Sequence, residues 1–131
     1  MKLSEYFETA KGRGVLATAD SDGHVGIAIY ASPHIIDEET VAFIMPDRLT
    51  HHNLQSNSQA AYLFQEDGPG YKGKRLYLRK IREEQDSELL HSIRRKSYIR
   101  ELAEREEPRF LVFFKIDKEL PLIGTGRAAG K

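Results

Sequence analysis

Apolar residues along the chain come mostly in short runs separated by turn-forming clusters, a pattern that predicts strands more often than helices. Ser4 is a candidate N-cap for a short helix over Glu5 to Lys11, with Tyr6, Phe7 and Ala10 on its apolar side and Gly12 or Gly14 to end it. Val15 to Ala19 reads as a strand and Val25 to Ala31 as its return. Between them Asp20-Ser21-Asp22-Gly23 is turn chemistry, because Asp and Gly tolerate positive φ. Pro33 interrupts the hairpin, Ile35 and Ile36 resume an extended run, Asp37-Glu38-Glu39 makes a second turn, and Thr40 to Met45 is another apolar strand.

Pro46-Asp47 ends that run, and Leu49 to Asn57 predicts one or two helical turns with Thr50 as N-cap. Ala60 to Phe64 is a short buried strand, Gln65 to Gly73 a loop, and Lys74 to Arg82 an alternating strand in which Leu76, Leu78 and Ile81 face away from the basic residues. Asp86 or Ser87 opens one longer helix, where Leu89, Leu90, Ile93, Ile99 and Leu102 recur near helical spacing with a break near Ser97, and Pro108 stops it. Phe110 to Ile116 is the most strongly β-forming run, and residues 124–131 read as a loose tail. Six or seven strands with hairpin signals and no regular βαβ alternation predict an α+β fold. The expected architecture is a mostly antiparallel β-barrel with a short N-terminal helix and one longer helix late in the chain. An open antiparallel sheet with helices on one face is the runner-up. No repeat or domain boundary interrupts residues 1–131, so a single domain is expected.

Charge and composition narrow the partners. Lys plus Arg equals Asp plus Glu at 20 each, so no overall field recruits nucleic acid, an anionic membrane or an acidic substrate. With no cysteine, disulfides, thiolate metal sites and thiol nucleophiles are absent together, and redox chemistry requires a bound cofactor. No window approaches the ~18 apolar residues of a membrane helix, and a soluble cytoplasmic protein is expected.

The loudest local motif is Gly68-Pro69-Gly70-Tyr71-Lys72-Gly73-Lys74, which meets the dinucleotide G-x-G-x-x-G spacing and most of a P-loop. Both fingerprints place phosphate at a helix N-terminus, but here the next residues alternate like a strand, and Arg75 stands where a P-loop Ser or Thr holds magnesium. A hairpin loop is the better reading. His51-His52 invites a metal, yet adjacent helical residues point about 100 degrees apart and cannot both face one ion as an i, i+4 pair does. No G-x-S-x-G elbow surrounds any Ser. The basic runs Arg79-Lys80-Ile81-Arg82 and Arg94-Arg95-Lys96 lie among acids including Glu83, Glu84, Asp86, Glu101 and Glu104. They read as a solvated face rather than a nucleic-acid patch.

Gly14 to Val25, with the strand through Tyr30, resembles the opening hairpin of the split-barrel flavin proteins related to pyridoxamine 5′-phosphate oxidase. Val41 to Met45, then Asp47-Arg48-Leu49-Thr50-His51-His52-Asn53-Leu54, then Ala60 to Phe64 match that family's next strand, polar turn with short helix, and strand. Gly70 to Leu76 and Phe110 to Gly126 resemble its later strands, so nearly the whole chain is covered. The resemblance implies flavin mononucleotide (FMN) as cofactor, with Arg48, the backbone of Leu49, and Thr50, His51 and Asn53 in the segment that grips the phosphate. Such convergence of helix N-terminal amides, a hydroxyl and a guanidinium suits a dianion. Leu49 and Thr50 occupy positions where many relatives carry a Lys. By the same resemblance Ile27, Ala28, Ile29 and Tyr30 lie along the isoalloxazine through backbone groups and apolar contact. It further implies a homodimer with two cofactors between the subunits, which Lys74, Arg75 and the segment near Leu122 approach from the partner chain.

The leading expectation is therefore an FMN flavoprotein carrying out hydride or electron transfer with a small-molecule partner, with no catalytic side chain assigned. A true pyridoxamine 5′-phosphate oxidase is not expected, because the chain is short and shows no additional C-terminal substrate-binding portion. An electron carrier, flavin store or sensor is the non-enzymatic alternative. A barrel binding haem through His51 or His52 is the alternative of another class.

Overall fold

The structure, a computed structural model, describes residues 2–96 and 108–124. Seven strands form one sheet: β1 (Gly12–Ala19), β2 (Val25–Tyr30), β3 (His34–Ile35), β4 (Thr40–Pro46), β5 (Gln59–Glu66), β6 (Gly73–Gln85) and β7 (Arg109–Pro121). Their spatial order is β2-β1-β5-β6-β7-β4-β3, and every neighbouring pair is antiparallel. The sheet curls into a half-barrel, helped by irregularities in β6 at Tyr77/Leu78 and Lys80/Arg82, since such bulges bend a strand and sharpen its twist. Among the described residues three helices accompany it: α1 (Leu3–Thr9), α2 (Leu49–Ser56) and α3 (Glu88–Lys96).

The period-2 alternation of the strands explains where the core lies. Leu16 of β1, Phe43 and Met45 of β4, Tyr62 and Phe64 of β5, Leu76 and Leu78 of β6, and Val112 and Phe114 of β7 point into the curl and form one cluster. The opposite face is treated differently at its two ends. Over β4 and β7, Ala42, Leu111 and Phe113 are covered by Leu90 of α3, which is why the run from Leu111 to Phe114 is buried on both faces. Over β2, no element of the described chain covers the outward side chains, and Val25, Ile27 and Ile29 are 74%, 73% and 80% exposed.

The predicted elements are present, with shifted ends. Helix α1 starts at Leu3 with Lys2 as its N-cap and no side-chain cap, so Ser4 lies inside the first turn instead of capping it. The aromatic rings of Tyr6 and Phe7 pack edge-on against Phe64, and the Tyr6 hydroxyl donates to Glu66 Oε2 at 2.6 Å, which seats the helix over one end of the barrel. Ile36 falls outside the two-residue β3. Strands β6 and β7 each run to 13 residues because the polar second half of β6 pairs with the apolar first half of β7, and the polar second half of β7 with the first half of β6. Glu83, Glu84 and Gln85 are in register with Val112, Leu111 and Phe110, and the Arg82 guanidinium lies 3.7 Å from the centre of the Phe113 ring. Ser87 caps α3 by accepting from the Leu90 N–H at 3.1 Å. The remainder of the predicted long helix, with Ser97, Ile99 and Leu102, and the tail beyond Gly124 lie outside the described residues.

Candidate functional site

Helix α2 follows the Pro46-Asp47 turn at the end of β4 and lies against β1 and β2. Its sequence, Leu-Thr-His-His-Asn-Leu-Gln-Ser, offers little apolar surface, and its buried residues are Thr50, His51, Asn53 and Leu54. Polar side chains therefore fix its position. Asn53 Nδ2 donates to Thr18 Oγ1 of β1 at 3.1 Å, with both residues buried. The Thr50 hydroxyl is hydrogen-bonded to the phenol of Tyr30 on β2, whose pKa burial nonetheless pushes up to about 12. His51 and Gln55 reach Glu83 of β6. Gly26 lets the helix lie this close to β2, because a Cβ there would stand 3.1 Å from Leu49 Cδ2 and 3.2 Å from Asn53 Nδ2.

Arg48, not Thr50, is the N-cap of α2, with extended backbone angles of φ −136° and ψ −165° and no side-chain cap hydrogen bond. The first turn of a helix has amides without intrahelical acceptors, and here the N-cap residue makes no side-chain cap hydrogen bond to them. The amides of Leu49, Thr50 and His51 precede the first intrahelical bond, which runs from the His52 N–H to the Arg48 carbonyl at 2.9 Å, and the helix dipole adds partial positive charge there. Leu49 is exposed beside them.

His51 is 7% exposed, and its ring stacks on Phe110 of β7 with centroids 3.7 Å apart and planes 13° from parallel. Its Nε2 lies 2.9 Å from Glu83 Oε2, and its Nδ1 lies 3.5 Å from Asp47 Oδ1. Burial opposes the charge on Glu83, but hydrogen bonds from Lys80, His51 and Gln55 outweigh it and hold the carboxyl at about 2. His52, the next residue, is exposed.

The second group of predicted residues is divided by the pleat. Ile27 and Ile29 project from the exposed face of β2. Ala28 and Tyr30 lie on the opposite face, where the Tyr30 ring meets Phe43 edge-on at 5.8 Å. Strand β2 is at the edge of the sheet, so one side of its backbone is open to a further partner. Lys74, Arg75 and Leu122 are not brought to α2 within one chain. Lys74 and Arg75 lie in register with Phe64 and Leu63, near Gly14, whereas Asn53 meets β1 at Thr18. Lys74 pairs with Glu119 at 2.7 Å, and Arg75 donates to the carbonyls of Pro121 and Gly124, both at 2.9 Å, which ties down the half-buried Leu122.

Sequence reasoning missed Glu83, Lys80 and Thr18, which join α2 from strands distant in the chain, and Gln55 on α2 itself; none carries a local signature. Gly26 had one, since a glycine inside a strand marks a close approach of backbone. The basic run on β6 is neutralised in place: Arg79 pairs with Asp117, Lys80 with Glu83 and Arg82 with Glu84. The side chains of Arg94, Arg95 and Lys96 and residues Glu101 to Glu107 lie outside the description. Asp20, Asp22 and His24 cluster in the β1–β2 turn, where Asp20 Oδ1 accepts the N–H groups of Asp22 and His24, both at 2.9 Å. Among the described residues no helix is long and apolar enough to cross a membrane.

No protein-family model matches the chain, and no curated protein sequence matches it significantly. Solved structures do. An FMN-binding protein from Syntrophomonas wolfei shares 20% identity with a TM-score of 0.77, over 94% of this chain and 85% of that one. HupZ of Group A Streptococcus shares 16% with a TM-score of 0.71, over 93% and 94%. HutZ, the haem storage protein of Vibrio cholerae, shares 18% with a TM-score of 0.64, over 91% of each. At such identities the likeness is one of fold, and the chain has the split β-barrel fold of the proteins related to pyridoxamine 5′-phosphate oxidase.

Proposed function

We propose that this chain is an FMN-binding flavoprotein that works as a homodimer and takes part in hydride or electron transfer with a small-molecule partner. The observation that carries the reading is the first turn of α2, whose N-cap Arg48 makes no side-chain cap hydrogen bond, set beside the apolar edge strand β2. Amides at a helix N-terminus and a guanidinium suit the phosphate dianion of FMN. Since the Thr50 hydroxyl is bonded to Tyr30, Thr50 serves the anion through its backbone N–H. The planar ring system needs apolar contact and backbone hydrogen bonds together, and an edge strand bearing Ile27 and Ile29 offers both. When bound, the flavin supplies the redox chemistry; the chain's residues bind and orient it and exclude water.

The uncovered face is the argument for a second copy. Val25, Ile27, Ile29, Leu63 and Tyr77 are all exposed on β2, β1's other neighbour β5, and β6, forming an apolar surface larger than scattered single residues would make. A second copy there would bring Lys74, Arg75 and Leu122 of one protomer toward the flavin held by the other.

Haem is less well served, because both ring nitrogens of His51 face carboxylates, leaving His52 as the imidazole of that pair open to an iron. The visible spectrum of the purified protein, and its titration with FMN, test the reading. A flavin spectrum with FMN released on denaturation supports it, a Soret band moves the assignment to haem, and a protein that stays colourless in excess FMN overturns it.

A further inference from the structure

The polar pegs of α2 differ in what they hold. Asn53 and Thr50 tie the helix to the two strands beneath it, whereas His51 fixes its first turn to the far side of the barrel, through Glu83 of β6 and Phe110 of β7. We propose that His51 is a positioning residue for the phosphate end of the flavin site, a buried post that holds the first-turn amides of α2 in register and does not itself touch the ligand. The inference rests on the flavin reading above and deepens it.

Three observations support it. The His51 backbone N–H is one of the three first-turn amides without an intrahelical acceptor, so the ring and a proposed phosphate donor belong to one residue. The ring cannot turn toward a ligand without leaving the Phe110 stack and the Glu83 carboxylate, and a residue so buried has no room for another rotamer. Glu83 is itself held in place, since Lys80 Nζ donates to its Oε1 at 2.6 Å and Gln55 Nε2 bridges it to the His51 carbonyl, with contacts of 3.1 and 3.0 Å. A helix with only Leu54 as a large buried apolar side chain would otherwise slide on its strands, because apolar contact is non-directional. Amides that must converge on one dianion tolerate errors of only about 0.5 Å.

The test is titration of the intact protein with FMN and with riboflavin, which lacks the phosphate, for the parent, His51→Ala, Glu83→Ala, the double variant and His51→Gln. Each single alanine variant is expected to lose about tenfold in FMN affinity while riboflavin changes by less than about twofold. The double variant should be no weaker than either single one, because both break one clamp. His51→Gln, whose amide can reach Glu83, should recover most of the loss. A folded His51→Ala protein that keeps the parent's preference for FMN overturns the proposal, as does an equal loss of both ligands or additivity in the double variant. Should His51→Ala fail to fold, Glu83→Ala and His51→Gln decide the matter by the same ratio. A parent that binds FMN no better than riboflavin would sink the phosphate site itself, and with it this role. A parent that discriminates while the variants still do would sink this role alone.

Discussion

The Tyr62 phenol occupies the space that Gly14 leaves by having no side chain: a Cβ at Gly14 would stand 1.9 Å from Tyr62 Oη. Through that gap Tyr62 reaches from β5 past β1 to the end of β2, where its hydroxyl donates to the carbonyls of Ala31 and Tyr30 at 3.0 and 3.2 Å. Gly14→Ala should therefore force the ring out and leave those carbonyls without their donor, destabilising the fold by about 2 to 4 kcal/mol. Tyr62→Phe should cost about 1 kcal/mol. Adding Tyr62→Phe to Gly14→Ala should cost less than the sum, as urea unfolding of the four proteins would show. Additive losses would mean that the two residues do not share one space.

Arg48→Ala should weaken FMN by about ten- to a hundredfold, the loss of a charge-assisted contact worth roughly 1.5 to 3 kcal/mol, and leave riboflavin nearly unchanged. Titrations of both ligands at one salt concentration check this. Equal FMN affinities in parent and variant would move the phosphate to the amides of α2 alone.

Ile27→Glu should convert the proposed homodimer to a folded monomer. Ile27 is exposed within one chain, so a charge there costs the barrel little, but an interface that must bury at least ~1,000 Å² cannot accept it unpaired. Sedimentation velocity at micromolar concentration, with circular dichroism to verify folding, reads the outcome. A parent that is already monomeric with flavin bound refutes the assembly.

Glu83 makes a pH prediction with a definite sign. Its folded pKa of about 2 lies below the ordinary 4.5, so its contribution is fully present above pH 4.5 and is lost as pH falls from there toward 2. The full difference amounts to roughly 3 kcal/mol, on 1.36 kcal/mol per unit. The parent should lose stability over that window more steeply than Glu83→Gln, measured as unfolding midpoints from pH 5 to pH 2.5. Parallel slopes would show that the carboxylate is not held by Lys80, His51 and Gln55.

Alternation, turn residues and the lack of βαβ spacing were enough to determine the strands, the hairpin at Asp20 to Gly23, and the α+β barrel class, because those depend on neighbours one to four residues apart. Ser87 as a cap and the loop over Gly68 to Lys72 were legible for the same reason, although Gly73 already begins β6. Where a polar helix sits was not. Thr50 carries the signature of an N-cap, yet in the folded chain its hydroxyl goes to Tyr30 and Arg48 takes the cap, since a hydrogen bond to a partner on another strand replaces a local one. The ion pairs that neutralise β6, the stack of His51 on Phe110, and the split of Ile27 and Ile29 from Ala28 and Tyr30 across the sheet all depend on register and curl. Those are set by long-range strand pairing, and only the tertiary structure decides them, because no stretch of sequence specifies which distant residue will stand opposite.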